Sequence, residues 1–160
     1  MKALFFSTAL LVGLSPIGAS AQAFPEYGSM LGTWNCTSAL GSSITYTFSM
    51  TDDGGWRALH SAWNNPKGTG AAGFFQNYLR RFSNGSWVAL SYGSNGWTFQ
   101  GRSSGWTGGA LTLTGVQQTG RGDITSRESF ATVGGKLQHR WQLLSAGKWV
   151  TTSDTTCVRS

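Results

Sequence analysis

Seven short clusters rich in Gly, Asn, Asp and Ser cut this chain at near-regular intervals, and they constrain its fold more than any other feature. They fall at 52–55, 83–85, 94–96, 108–109, 120–123, 133–136 and 145–147. Asn-Gly, Asp-Gly and Gly-Gly steps suit turns that need positive φ, and such turns join antiparallel neighbours. Short strands punctuated at this spacing specify a β-sandwich or barrel, not alternating strands and helices. Composition agrees: 23 Gly, 13% aromatic and only 11% charged residues describe a turn-rich β protein, neither helical nor disordered.

The segments between the turns predict about ten strands, near 31–38, 43–50, 56–63, 73–82, 86–92, 97–103, 110–117, 123–133, 136–144 and 148–159. The expected fold is all-β, a single antiparallel up-and-down barrel. Alternation assigns the inward faces. Ile44, Tyr46, Phe48 and Met50 share one; Trp97 and Phe99, Leu111 and Leu113, and Leu137, His139, Trp141 and Leu143 form others. The long connection at 64–72 reads as a mouth loop, and 24–27 as a short lead-in or lid.

Lys2, an apolar run from Ala3 to Leu14, and Ala21-Gln22-Ala23 compose a secretory signal peptide cleaved after Ala23. The run is too short to span a bilayer comfortably, and no later segment approaches the roughly 20 apolar residues of a helical span. A retained anchor helix is the alternative. The organisation is then a signal peptide at 1–23 and one barrel domain at 24–160, periplasmic or secreted. Twelve Lys and Arg against six Asp and Glu give a net charge of +6. Apart from Arg80-Arg81 the basic residues are scattered singly, which with export argues against nucleic acid as a partner. The surplus favours weak contact with anionic envelope polymers. Nothing in the sequence specifies an oligomeric state.

Cys36 and Cys157 lie near the two ends of the exported part, in an oxidising compartment where thiols pair. A bond between them closes a loop of about 120 residues, worth about 4 to 5 kcal/mol in the chain-entropy account. Antiparallel pairing with Cys36 opposite Cys157 also sets Trp34 opposite Arg159, so that the guanidinium lies on the indole face. The plainer alternative makes Trp34 an ordinary core residue and Arg159 a frayed terminus.

Gly32-Thr33-Trp34 at the first strand, with Arg159 at the end of the last, resembles the signature of the calycins, the lipocalin-like barrels. More closely, the exported chain resembles a bacterial secreted lipocalin-like (calycin-type) β-barrel family of unknown function. That family has a Gly-x-Trp-x-Cys start and a Thr-Cys-x-Arg or Thr-Cys-x-Lys end. Here these are Gly32, Trp34, Cys36, Thr156, Cys157 and Arg159, with Ser104-Gly105-Trp106 and Gly147-Lys148-Trp149 as further matches. The resemblance implies a lipocalin/calycin-like barrel and brings no activity with it.

His139 is the most informative polar residue, because it interrupts an apolar face. If Gly134-Gly135 is a two-residue turn, Phe130 faces His139 and Glu128 faces Trp141, leaving Glu128 diagonal to His139 and within reach. A buried carboxylate needs a partner, and His139 supplies it. The pair is a structural contact, a ligand anchor or the minimum for acid–base catalysis. No activated Ser or Cys accompanies it, so binding is preferred over catalysis. His60 has ambiguous facing, and two histidines are too few for a convincing metal cluster. Nitrobindins, lipocalin-like haem barrels, use a late-strand His on iron, but their flanking motifs are absent here. No cofactor and no metal are expected.

The leading expectation is a non-catalytic barrel that holds a small, largely apolar molecule in an interior lined by Tyr46, Phe48, Phe99, Glu128, His139 and Trp141. The first alternative is a glycan or envelope-polymer module using Trp63, Trp87 and Trp106 on the outer surface, the plainer reading of these three being that they pack beneath loops or cap the barrel ends. A nitrobindin-like haem barrel or a His/Glu acid–base enzyme is the second. Arg121-Gly122-Asp123 and the sequon Asn84-Gly85-Ser86 are read as turns.

Overall fold

A computed structural model describes residues 25–38, 43–50, 56–64 and 73–160, and the side chains among them apart from Pro25, Glu26, Ser38 and 56–64. The expected signal peptide, the 52–55 turn, most of the 64–72 connection and the side chains of His60 and Trp63 lie outside the described residues. Among the described residues one helical turn, α1 (Pro25–Gly28), precedes eleven strands. These are β1 (Gly32–Ser38), β2 (Ser43–Met50), β3 (Trp56–Asn64), β4 (Gly73–Arg81), β5 (Trp87–Gly93), β6 (Thr98–Ser103), β7 (Trp106–Thr107), β8 (Ala110–Thr119), β9 (Gly122–Val133), β10 (Lys136–Ser145) and β11 (Lys148–Arg159). Ten of them match the sequence expectation to within two residues at each end. The two-residue β7, too short to carry an alternation signal, is the addition.

Consecutive strands pair antiparallel, as hairpin chemistry requires, except that β7 is a spur on β8 and β6 pairs past it with β8. Because β1 also pairs with β11, the sheet curls into an up-and-down barrel in which both terminal strands find a partner. A paired terminus leaves no open edge to recruit another chain. The β1–β11 register sets Cys36 opposite Cys157 and Trp34 opposite Arg159, and the two cysteines form a disulfide with Cα atoms 4.0 Å apart.

Alternation places the core. Trp34, Tyr46, Phe48, Leu79, Trp87, Phe99, Leu111, Leu113, Phe130 and Leu137 are all buried inside. Two assignments need correction. Met50 is 37% exposed, because β2 runs past the start of β1, whose Gly32 pairs no further along than Phe48. Trp97 is 39% exposed, because it belongs to the turn before β6, where its amide donates to the Asn95 side chain.

One barrel end is plugged by the chain's own lead-in. Tyr27 and Met30, 1% and 0% exposed, sit inside it. The Tyr27 ring stacks on Trp87 at 5.9 Å and meets the Phe48 ring at 6.1 Å. The Trp34 indole donates to the Met30 carbonyl at 2.7 Å, and the Arg159 guanidinium donates to the Ser29 carbonyl at 3.0 Å. Gly32 is required here for two reasons: its φ is +111°, and a Cβ would stand 3.3 Å from Nη1 of Arg159. Burying each such aromatic contributes roughly 2 to 3 kcal/mol, which explains why so short a helical turn stays docked.

Candidate functional site

The site begins with a turn. Gly134 and Gly135 have φ of 56° and 74°, the two positive values that a two-residue hairpin needs, and Val133 pairs with Lys136 across them. That turn fixes the β9–β10 register, setting Phe130 opposite His139 and Glu128 opposite Trp141. With a period of two, Ser126, Glu128 and Phe130 then face inward on β9, beside Leu137 and His139 on β10.

His139 is 4% exposed and is held at both ring nitrogens. Nδ1 lies 2.8 Å from the Tyr46 hydroxyl, which reaches across from β2, and Nε2 lies 2.9 Å from Oε1 of Glu128. Phe130 and Tyr46 flank the imidazole, with ring centroids 4.9 and 5.0 Å away. Burial pushes the Tyr46 phenol well above its usual pKa, and the Glu128 charge pushes it the same way. The phenol therefore keeps its proton; with the ring hydrogen on Nε2, donated to Glu128, Nδ1 accepts from the phenol. All three groups are satisfied in one chain of donors and acceptors.

Two hydroxyls beside this chain are not satisfied. Ser126 Oγ, in a residue 0% exposed, and Thr155 Oγ1, in a residue 2% exposed, have no hydrogen-bond partner among the described residues. Ser126 precedes Glu128 on the same face, and Thr155 pairs with His139 from β11. Leaving a buried hydroxyl unpaired costs about 1 to 3 kcal/mol, and native interiors carry few such groups.

The interior is thus divided. Strand directions put Trp34, Leu79, Trp87, Leu111 and Leu137 toward the α1 end. Asn77, Ser91 and Gln117, all buried, lie toward the other, in a line that Phe99 joins through the pairs Asn77–Ser91, Ser91–Phe99 and Phe99–Gln117. The relay of Tyr46, His139 and Glu128 lies between the two. The six residues expected to line a pocket all reach the interior: Tyr46, Phe48, Phe99, Glu128 and His139 are buried, and Trp141 is partly buried with its ring 5.4 Å from Phe99. Phe48 lies on the plugged side, against Tyr27 and Phe130. Sequence reasoning missed Ser126 and Thr155. Both were recoverable, since Ser126 is two residues from Glu128 and Thr155 two residues from Cys157 on inward faces.

Other candidates move. Trp87 is 1% exposed and stacked on Tyr27, so it forms no outer platform; the inward phase of β5 places it in the core. Trp106 is partly buried against the core. A shallow groove of about 350 Å³ lies over the outer faces of β8 to β11, among Thr112, Arg127, Gln138, Arg140 and Asp154. Its polar groups already serve one another: Arg140 donates to Asp154, Arg127 to Gln142, and Gln142 to Thr151. Asn84 accepts from both the amide and the hydroxyl of Ser86, so the sequon is a turn. Among the described residues no group of three or more metal-ligating side chains occurs, and no helix is long and apolar enough to cross a membrane.

No family model and no curated protein matches the chain. Among solved structures it is similar to the crystal structure of Rv2717c from M. tuberculosis, with a TM-score of 0.64 and 13% identity over 88% of this chain and 98% of that one. At that identity the likeness carries the fold alone, and the chain is a β-barrel protein.

Proposed function

We propose that this is an exported, non-catalytic barrel that takes a small, largely apolar molecule into the end of its interior opposite α1. A lipocalin-like role follows from the same reading. The observation that carries it is the pair of unpartnered hydroxyls, Ser126 Oγ and Thr155 Oγ1, on either side of the buried relay. Groups of this kind await a polar partner, while Phe99, Trp141 and Ile44 offer it an apolar surround. The ligand then has an apolar body and one or two polar groups that meet Ser126, Thr155 or the relay. Export belongs to the proposal: a signal peptide removed after Ala23 is in keeping with the disulfide and places the protein in the periplasm or outside the cell.

Haem fits the donor set poorly. His139 has to release Tyr46 or Glu128 before a ring nitrogen can meet iron. An acid–base role requires substrate to reach His139, which is 4% exposed. The test is native mass spectrometry of protein purified from its own host. A bound mass that disappears on denaturation, and that Ser126→Val and Thr155→Val weaken while the fold persists, is expected. A bare chain mass from the native host, with no thermal shift on adding fatty acids, sterols or isoprenoids, overturns the reading.

A further inference from the structure

From Gly54 to Gly122 the chain carries Arg57, Lys67, Arg80, Arg81, Arg102 and Arg121 and not one Asp or Glu. The net charge of the whole chain is +6, so the positive charge is concentrated in this half. Of these residues, Arg80, Arg81 and Arg102 lie on the neighbouring strands β4, β5, β6 and β8, which form one wall of the barrel. On β4, β5, β6 and β8 the odd-numbered positions face inward, so the even-numbered ones form the outer surface.

Two transverse rows cross that surface. The pairs Arg80–Val88, Val88–Arg102, Arg102–Thr114 and Thr114–Arg127 set arginines on alternate strands, roughly 10 Å apart at the usual strand spacing. Arg127 is turned to Gln142 and the Trp149 ring; Arg80, whose guanidinium carbon lies 5.9 Å from the centre of the Phe82 ring, and Arg102 are exposed on the wall itself. The neighbouring row runs Tyr78–Leu90–Gln100–Val116, and Tyr92 follows it on β5. Tyr78, Leu90, Val116 and Tyr92 are 37, 41, 42 and 48% exposed, a run of apolar side chains in water on four strands that carry no acid, with Asp123 at the margin of the wall on β9.

We infer that this wall is a docking surface for an anionic phospholipid bilayer. The charge is complementary, since guanidiniums meet lipid phosphates, and exposed Tyr beside Leu and Val suits the headgroup boundary, where an amphipathic ring has one wet and one apolar side. A soluble polyanion uses the arginines and has no use for Leu90 or Val116; a bilayer uses both. The surface is distinct from the interior site, so a ligand-carrying barrel docked this way lies with its side on the membrane.

The test is co-sedimentation of the purified, disulfide-bonded protein with vesicles of phosphatidylglycerol and phosphatidylcholine in equal parts, against phosphatidylcholine alone and soluble dextran sulfate. Binding to the anionic vesicles is expected, falling steeply as salt rises from about 0.01 to about 1 M, where the Debye length shrinks from roughly 30 to 3 Å. Arg102→Gln is expected to weaken it about five-fold, and Leu90→Ser to weaken vesicle binding while leaving dextran sulfate unaffected. Both positions are exposed, and near-ultraviolet circular dichroism checks that the barrel is intact. No binding to anionic vesicles, equal binding to neutral ones, or indifference to Leu90→Ser overturns the inference; the last, with Arg102→Gln still effective, assigns the wall to a soluble polyanion instead.

Discussion

The guanidinium carbon of Arg159 lies 4.5 Å from the centre of the Trp34 ring, across the strand pair that joins the two ends of the chain. The same guanidinium donates to the Ser29 carbonyl, and the Trp34 indole donates to Met30, so one arginine ties the last strand, the first strand and the α1 plug together.

Arg159→Ala should therefore lower stability by about 1 to 2 kcal/mol, the sum of a solvent-exposed cation–π contact and one charge-assisted hydrogen bond. Arg159→Lys should recover less than half of that, because an ammonium does not stack flat and donate sideways at once. Urea denaturation measures both. Deleting residues 158–160 should have the larger effect while leaving the cysteines bonded, since the register pairs Cys36–Cys157, Thr37–Thr156 and Ser38–Thr155 survive it. A truncated chain with two titratable thiols contradicts this.

The disulfide acts differently. It spans 121 residues of sequence and lies in the middle of a ladder that pairs without it. Replacing Cys36 and Cys157 together by Ala should lower stability by about 3 to 5 kcal/mol, mostly by freeing the unfolded chain, with the barrel still forming. Cys36 and Cys157 are 2% and 0% exposed, so the native protein should resist reductant until it unfolds. Rapid reduction in native buffer, with no change in circular dichroism, contradicts the buried placement.

Much of this architecture was legible because β structure with hairpin turns is locally specified. Gly134-Gly135 fixes one register and the cysteines another, and from these two the neighbours of His139 and Trp34 follow by counting. Facing failed where local pattern and topology part. Trp87 admits both an outer and a barrel-end placement in the sequence, and the α1 lead-in stacked on it settles for the barrel end, whereas Met50 continues an apolar alternation beyond the point where β1 can cover it. Tyr46 and His139 are 93 residues apart in sequence, on β2 and β10 with β1 and β11 between them, so their contact depends on how far the sheet curls, which a register does not describe.

The Tyr46 phenol has a pH signature. Its pKa is raised in the fold and lies near 10.0 when unfolded, so the native state holds the proton more tightly. The corresponding stability is fully present below pH about 10 and is lost as pH rises through the folded value, by at most about 1.4 kcal/mol per pH unit. Tyr46→Phe removes the titration. Near neutral pH the variant should be less stable by about 1 to 2 kcal/mol, because Nδ1 of His139 loses its donor. Above pH about 10 the gap should narrow and then reverse. A gap that stays constant from about pH 8 to about pH 11 contradicts a buried phenol.

The joint between β6 and β8 rests on a glycine pair, Gly101 opposite Gly115. A Cβ on Gly115 would lie 1.8 Å from the Gln100 carbonyl oxygen and 2.6 Å from the Gly101 Cα, and both are backbone atoms that no rotamer change can remove. A Cβ on Gly101 would instead meet the Phe99 ring at 2.4 Å, and that side chain can swing. Gly115→Ala should then cost about 3 kcal/mol or more, above the usual range for overpacking, whereas Gly101→Ala should cost about 1 to 3. Gly120, where a Cβ would meet nothing within 4 Å, is the control, and Gly120→Ala should change little. Chemical denaturation ranks the three. Hydrogen exchange should show where the damage lies: in Gly115→Ala the β6 and β8 amides lose protection first, because separating those strands opens the barrel along the joint that bypasses β7. Protection lost uniformly, or a Gly115→Ala protein as stable as the parent, places the closure of the barrel somewhere other than this pair.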